Sequence, residues 1–145
     1  MSQSKGSGRR RKHYLFAYGT LLPGLAPARM RHLVQKLKLA GRGSIRGKLF
    51  DLGAYPGAVP SRTESRVRGQ VYELPNDPEV LARIDQHEEF DPHQPHAGVF
   101  VRKRRRVRLE SGNKVSGWVY FYNGSLDGAR LVESGDYKSA YRRRQ

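Results

Sequence analysis

The sequence predicts an α+β domain built on a small mixed or barrel-like sheet with flanking helices. Two observations carry this reading. Several short β-prone segments are separated by Gly- and Pro-rich turns, and two stretches with helical apolar spacing fall among them without a regular βαβ alternation. No internal repeat is present.

The elements follow in order. Residues 1–12, MSQSKGSGRRRK, are polar and low in complexity and are expected to be a disordered basic tail, so the domain is set at 13–137 with a second basic tail at 138–145. The apolar run Tyr14-Leu15-Phe16-Ala17 reads as a strand ending in the turn Tyr18-Gly19-Thr20-Leu21-Leu22. Pro27 suits the first turn of a helix, with Met30, Leu33, Val34 and Leu37 on one face and Gly41 as its stop. Gly47 to Gly53 reads as a short strand, followed by the turn Ala54-Tyr55-Pro56-Gly57 and a second apolar segment at Ala58-Val59. Arg66 to Leu74 alternates, with Val67, Gly69 and Val71 on one side and Arg68, Gln70 and Tyr72 on the other, and is a strand. Asp77-Pro78 is a helix start, with the buried stripe Val80, Leu81 and Ile84 running to about His87. Val99 to Leu109 and Lys114 to Tyr122 flank Ser111-Gly112-Asn113 as a hairpin.

Composition narrows the chemistry. The 145 residues suit one domain, and with no cysteine the chain has no disulfide, no thiolate metal site and no Cys nucleophile. No apolar stretch approaches the roughly 20 residues of a membrane span or resembles a signal peptide, so a cytoplasmic protein without membrane attachment is expected. The net charge is +15, concentrated in the two ends and in Arg102 to Arg108, where six of seven positions are basic. Seven of the 13 acids nevertheless fall between residues 73 and 91, with only Arg83 opposing them.

Two features in this sequence suggest a site. A glycine at a strand end leaves neighbouring N–H groups uncovered, so Tyr18 to Leu22 can offer backbone donors to an anionic group; a plain strand and turn explains the same residues. Continuing the helical stripe seven residues from Leu81 places Glu88 above it, on the buried side. Glu89 and Asp91 rotate toward solvent, and Asp85 lies at the stripe's edge, where it could repel a charge on Glu88. Burial and like charge both raise a carboxyl pKa, which suits a general base and acid near neutrality. Should the helix end earlier, Glu88 is simply exposed.

These residues resemble the γ-glutamylcyclotransferase-like family over roughly His13 to Tyr137. The resemblance rests on Tyr18-Gly19-Thr20-Leu21, on Gly47 through Gly57, on Val67 through Leu74, on Ile84-Asp85-Gln86-His87-Glu88, on Val101-Arg102 and on Trp118-Val119-Tyr120, in that order, with a late Ser134-Gly135-Asp136-Tyr137. It implies a small mixed barrel with helices outside and a pocket at Tyr18 to Leu21. It also implies Glu88 as the catalytic carboxylate and a cofactor-free reaction. In that reaction the α-amine of a γ-glutamyl group attacks its own side-chain carbonyl, closing 5-oxoproline and expelling an amine or amino acid. Backbone N–H groups of Gly19, Thr20 and Leu21 would bind the substrate carboxylate or carbonyl oxygen. Further pocket candidates are Tyr18, Tyr55, Pro56, Gly57, Tyr120 and Tyr137, of which the tyrosines also suit the core. Many family members carry an aromatic residue where this chain has His87, and glycine where it has Glu89. The resemblance reaches free γ-glutamyl amino acids, γ-glutamylamines including the isopeptide lysine adduct, and carrier-bound γ-glutamyl groups as small-molecule substrates.

Other constellations carry less. Asp91, His93 and His96 are separated by prolines that break ligand spacing, so no metal site is expected. Gly41-Arg42-Gly43 lacks the third glycine of a dinucleotide loop. The rival reading is a nucleic-acid-binding module using the strand Arg102 to Arg108 and the basic tails, with Phe100, Tyr120 and Tyr122 able to stack bases. In the bland version, Arg102, Arg104, Arg106 and Arg108 are a solvated strand face. A non-catalytic scaffold binding an acidic partner is the third reading.

Overall fold

The structure, a computed structural model, describes residues 12–19 and 28–137, the side chain of residue 29 excepted. The expected turn at Thr20 to Leu22, the helix start at Pro27 and most of both basic tails lie outside the described residues. The described elements are β1 (His13–Ala17), α1 (Ala28–Val34), β2 (Lys38–Arg46), β3 (Lys48–Asp51), β4 (Pro56–Val59), β5 (Arg66–Leu74), α2 (Pro78–His87), β6 (Phe100–Leu109), β7 (Lys114–Tyr122) and β8 (Arg130–Leu131).

Five strands close into a barrel in the order β1-β5-β2-β6-β7, and β4-β3-β8 form a separate three-stranded sheet. The barrel is mixed because β1 runs parallel to β7, while its other neighbours pair antiparallel. Strand alternation sorts the apolar residues into two cores. Phe16, Ile45, Val67, Val71, Val107, Val119 and Phe121 fill the barrel interior. Leu15, Ala17, Tyr72, Leu74, Phe100 and Tyr120 point outward and are covered by Met30 and Leu33 of α1 and by Val80 and Ile84 of α2. β1 and β7 are therefore buried on both faces, which is why both read as nearly continuous apolar runs. Each fully buried Leu, Val, Ile or Phe contributes about 1.5–3 kcal/mol. Among the described residues no helix is long and apolar enough to cross a membrane.

Two expectations need correction. The helix expected to reach Leu37 and stop at Gly41 ends at Val34, and after a tightened turn closed by i→i−3 bonds the chain enters the nine-residue strand β2. Met30, Leu33 and Leu37 are buried as their spacing implied. The sequence does not signal strand β2 because KLAGRGSIR holds one β-branched residue, and pairing with β5 and β6 overrides that weak local preference. Gly41 marks a bulge at which the β2–β5 register shifts. The second correction concerns Pro56-Gly57, a turn signal in the sequence that instead opens β4, opposite Asp51 and Phe50. The turn comes earlier, closed by Leu52 N–H donating to Tyr55 O at 3.0 Å and Gly53 N–H donating to Asp51 Oδ1 at 2.9 Å. Proline is tolerated because β4 is an edge strand.

Candidate active site at the end of the second helix

Helix α2 has the boundaries that its sequence dictates. The Asp77 carboxylate accepts from Glu79 N–H at 3.0 Å, and Pro78 occupies the first turn, where no N–H is needed. At the other end Glu88 is the C-cap. Phe90 N–H donates to Asp85 O at 2.9 Å and Glu89 N–H to Gln86 O at 3.1 Å, the two bonds of a Schellman closure. Phe90, carried past the closure, is buried in the same core as Ile84. The helix end that carries Glu88 is thus fixed by backbone bonds and by an apolar anchor.

Glu88 is half-buried, and its carboxyl is pushed up to about 7, chiefly by burial and secondly by the charge of Glu89. Asp85, expected to repel it, does not do so. Asp85 is buried, accepts a hydrogen bond from the Tyr120 hydroxyl at 2.5 Å, and lies 3.2 Å from Arg102 Nη1. Burial lifts the Asp85 carboxyl, and the Tyr120 bond and the Arg102 charge offset part of that. The Arg102 guanidinium also lies over Phe90 (5.2 Å) and Trp118 (4.4 Å). Asp85 is therefore a neutralised structural acid, and the like charge acting on Glu88 comes from its exposed neighbour Glu89.

The Glu89 backbone has φ of 55°, the left-handed region that disfavours any residue with a Cβ. A glycine at this C-terminal position of a Schellman closure avoids that strain. Glu89→Gly is expected to raise stability by about 0.5–1 kcal/mol. It also removes a negative charge, so the Glu88 carboxyl should titrate at lower pH. Chemical denaturation reads the first effect and an NMR titration of the Glu88 side chain the second; an upward shift of that titration would refute the assigned role of Glu89.

Three of the other candidates, Tyr18, Tyr55 and Tyr120, feel the charge of Glu88. The Tyr18 hydroxyl donates to Tyr120 O at 2.5 Å and accepts from Ala58 N–H at 3.1 Å, tying the end of β1 to β7 and β4. Burial, then the Glu88 charge, drive the Tyr18 phenol far above its ordinary value. Tyr120 is raised for the same first reason, then by its bond to Asp85, with Glu88 contributing. Tyr55 is raised by burial, then by Tyr122, Glu89 and Glu88. Tyr18, Tyr55 and Tyr120 thus all lie within electrostatic reach of Glu88.

Gly19 sits directly after Tyr18, and a Cβ there would approach Pro56 Cγ to 2.7 Å. A Cβ on Gly57 would come within 2.8 Å of both Leu52 and Tyr122. Gly19 is therefore required by close packing of the β1 end on Pro56 of β4, and Gly57 by close packing of β4 on Leu52 and on Tyr122 of β7. Pro56 is buried, Tyr55 is half-buried with its ring 5.7 Å from Phe100, and Tyr137 is buried in the barrel interior. Thr20 and Leu21 lie outside the described residues. Asp91, weighed as a metal ligand, accepts from His93 N–H at 2.9 Å in a local turn.

The sequence did not reveal the Asp85–Arg102–Tyr120 cluster. One signal was available, since a hairpin closing at Ser111 to Asn113 sets Arg102 opposite Tyr120, the register observed.

Comparison with known proteins bears on the family and the fold. The family model described as γ-glutamyl cyclotransferase, AIG2-like, matches residues 15–139. A protein of Methanocaldococcus jannaschii provisionally named a γ-glutamylcyclotransferase is 34% identical over 128 residues, covering 86% of this chain and 95% of its own length. The γ-glutamylcyclotransferase family protein YtfP of Escherichia coli is 33% identical over 124 residues, covering 85% of this chain and 94% of its own. Its solution structure matches with a TM-score of 0.55. The crystal structure of a mouse AIG2-like protein shares the fold, with a TM-score of 0.62, 21% identity and coverage of 81% of this chain and 82% of that one.

Proposed function

We propose, from the premise that the chain belongs to the γ-glutamyl cyclotransferase, AIG2-like family, that it closes the γ-glutamyl group of a small molecule to 5-oxoproline and releases an amine or amino acid. The observation that carries this reading is the Glu88 carboxyl, held at a locked helix end with its pKa lifted to about 7. At that value both protonation states are populated near neutrality, which one group needs to act as base and then as acid.

The proton balance is simple. The Glu88 carboxylate takes a proton from the substrate α-ammonium, and the freed amine attacks the γ-carbonyl carbon. A tetrahedral centre forms, with negative charge on the former carbonyl oxygen. Glu88 returns its proton to the leaving nitrogen as the old C–N bond breaks. The second proton shed by the ring nitrogen ends on the released amine, which departs as an ammonium ion. The Gly19 N–H, with those of Thr20 and Leu21, is assigned to the substrate carboxylate or the developing oxyanion, where each well-placed donor is worth about 3 kcal/mol. The remaining requirement is that the substrate be held folded on itself, for which Tyr55 and the Pro56-Gly57 segment are suited by their proximity.

The test is release of 5-oxoproline from a panel of γ-glutamyl amino acids, γ-glutamylamines and the γ-glutamyl-lysine isopeptide. Turnover of one class is expected, with kcat/KM rising as pH passes through about 7 because the free enzyme must hold Glu88 ionised. Absence of 5-oxoproline from every member at any pH would remove this reading.

A further inference from the structure

The outward face of β6 passes from beneath α2, where Arg102 is held by Asp85, to Arg104, Arg106 and Arg108, which are exposed. There the strands bring together cations that are distant in sequence. Arg68, Ser44, Arg108 and Lys114 form one continuous register row across β5, β2, β6 and β7. Arg46 and Arg66 pair directly beside that row, and Arg106 stands two residues from Arg108 on the same face. Five of these six cations are exposed, and Arg66 is half-buried. Arg66 is laid flat by donating to Ser44 Oγ at 3.1 Å and Ser44 O at 3.0 Å. Its guanidinium pKa is lowered by burial and then by Arg108, Arg46 and Arg68, which places these four charges in one electrostatic neighbourhood.

Among the described residues, the ion pairs involve Lys38, Arg42 and Arg102, and none of the six. Two of the cross-strand pairs, Arg46 with Arg66 and Arg108 with Lys114, set like charges opposite each other, which destabilises a sheet. A bound polyanion would reverse the sign of that contribution.

We infer that this outer barrel face is a docking surface for the phosphate backbone of a nucleic-acid duplex. Several features favour this occupant. The patch extends over four of the barrel's five strands, about 14 Å measured along the curved sheet at strand spacing, with Arg46, Arg66, Arg68 and Arg108 gathered in one electrostatic neighbourhood on β5, β2 and β6. Five of its six cations are arginine, whose planar fork matches phosphate oxygens. Among the described residues the exposed large apolar ones are Leu39, Leu126 and Leu131, so the six cations surround no described apolar centre of the kind found in protein interfaces or membrane-inserting surfaces. Single strands call for free aromatic platforms. Here Phe100 and Tyr120 are buried, half-buried Tyr122 packs edge-on against Phe100 at 5.8 Å, and Trp118 is stacked against Arg102 and Arg104 at 4.4 and 4.2 Å. The bases are therefore not read, and binding should be independent of sequence and steeply dependent on salt.

The experiment uses the full chain and a labelled mixed-sequence DNA duplex, followed by fluorescence anisotropy from about 25 to about 200 mM salt. The comparison is with Arg68→Gln/Arg106→Gln/Arg108→Gln, three exposed residues outside the candidate active site. The wild type should bind. The triple variant should lose at least about tenfold in affinity near 0.1 M salt, and its log–log salt slope should be shallower by about 3, at about 0.9 per lost phosphate contact. Circular dichroism and Tm should show the variant folded. An unchanged slope would assign binding to the basic tails and overturn the inference, as would no binding at the lowest salt. Tighter binding to single-stranded DNA, polyglutamate or phosphatidylserine vesicles than to the duplex would overturn the assigned partner.

Discussion

Glu88→Gln should lose 5-oxoproline release by about 10²–10⁴-fold, the usual contribution of a positioned general acid–base, while becoming more stable than the wild type above neutrality. The sign follows from linkage. The folded carboxyl titrates near 7 against an ordinary value of 4.5, so between these limits the folded chain binds more protons than the unfolded one. Wild-type stability therefore falls as pH rises through that window, and the full cost is present above about 7. At about 1.4 kcal/mol per pKa unit the cost is about 3 kcal/mol, and glutamine, which cannot ionise, does not bear it. Urea titrations at pH values below and above the window should show the variant matching the wild type at the acid end and exceeding it at the alkaline end. Retained turnover would remove Glu88 from the chemistry. A variant less stable than wild type at alkaline pH would show that its carboxylate is stabilised by contacts rather than strained by burial.

Arg102→Met should be the most damaging single change to stability away from the apolar cores, by about 3–5 kcal/mol. It leaves Asp85 buried with only the Tyr120 hydroxyl to answer its charge. Because Asp85 lies one turn before Glu88 on α2, activity should fall with it. The double variant Arg102→Met/Asp85→Leu should recover most of the lost stability, since removing both charges also removes their desolvation cost. Equilibrium denaturation of the two single variants and the double gives the coupling energy directly. A cost below about 1 kcal/mol for Arg102→Met would mean that water screens the pair as it does at a surface.

Much of the fold was legible because strong local signals agreed with the tertiary outcome. Asp77-Pro78 fixed the start of α2, and alternation fixed β5 and the β6–β7 hairpin to their terminal residues or within one of them. Strand β2 was not legible. Its Gly, Lys and Arg residues carry little intrinsic preference, and the strand exists because two neighbours supply its hydrogen bonds. Pro56-Gly57 misled for a related reason, since a turn signal was overridden at a sheet edge that does not need the proline N–H.

The candidate site divides along the same line. The sequence by itself determined that Glu88 follows the apolar stripe of α2 and that a glycine ends the first strand, because helical and strand periodicities act within one segment. Only the tertiary structure decided which charges act on Glu88. Asp85, the acid nearest in the helical pattern, is silenced by Arg102 from a strand 15 residues beyond α2's last turn, and Glu89, rotated outward, supplies the like charge. It likewise gathered Arg46, Arg66, Arg68, Arg106, Arg108 and Lys114 onto adjoining strands of the barrel's outer surface. Charge and desolvation act through space, and the distances they depend on are set by barrel closure, which no single segment encodes.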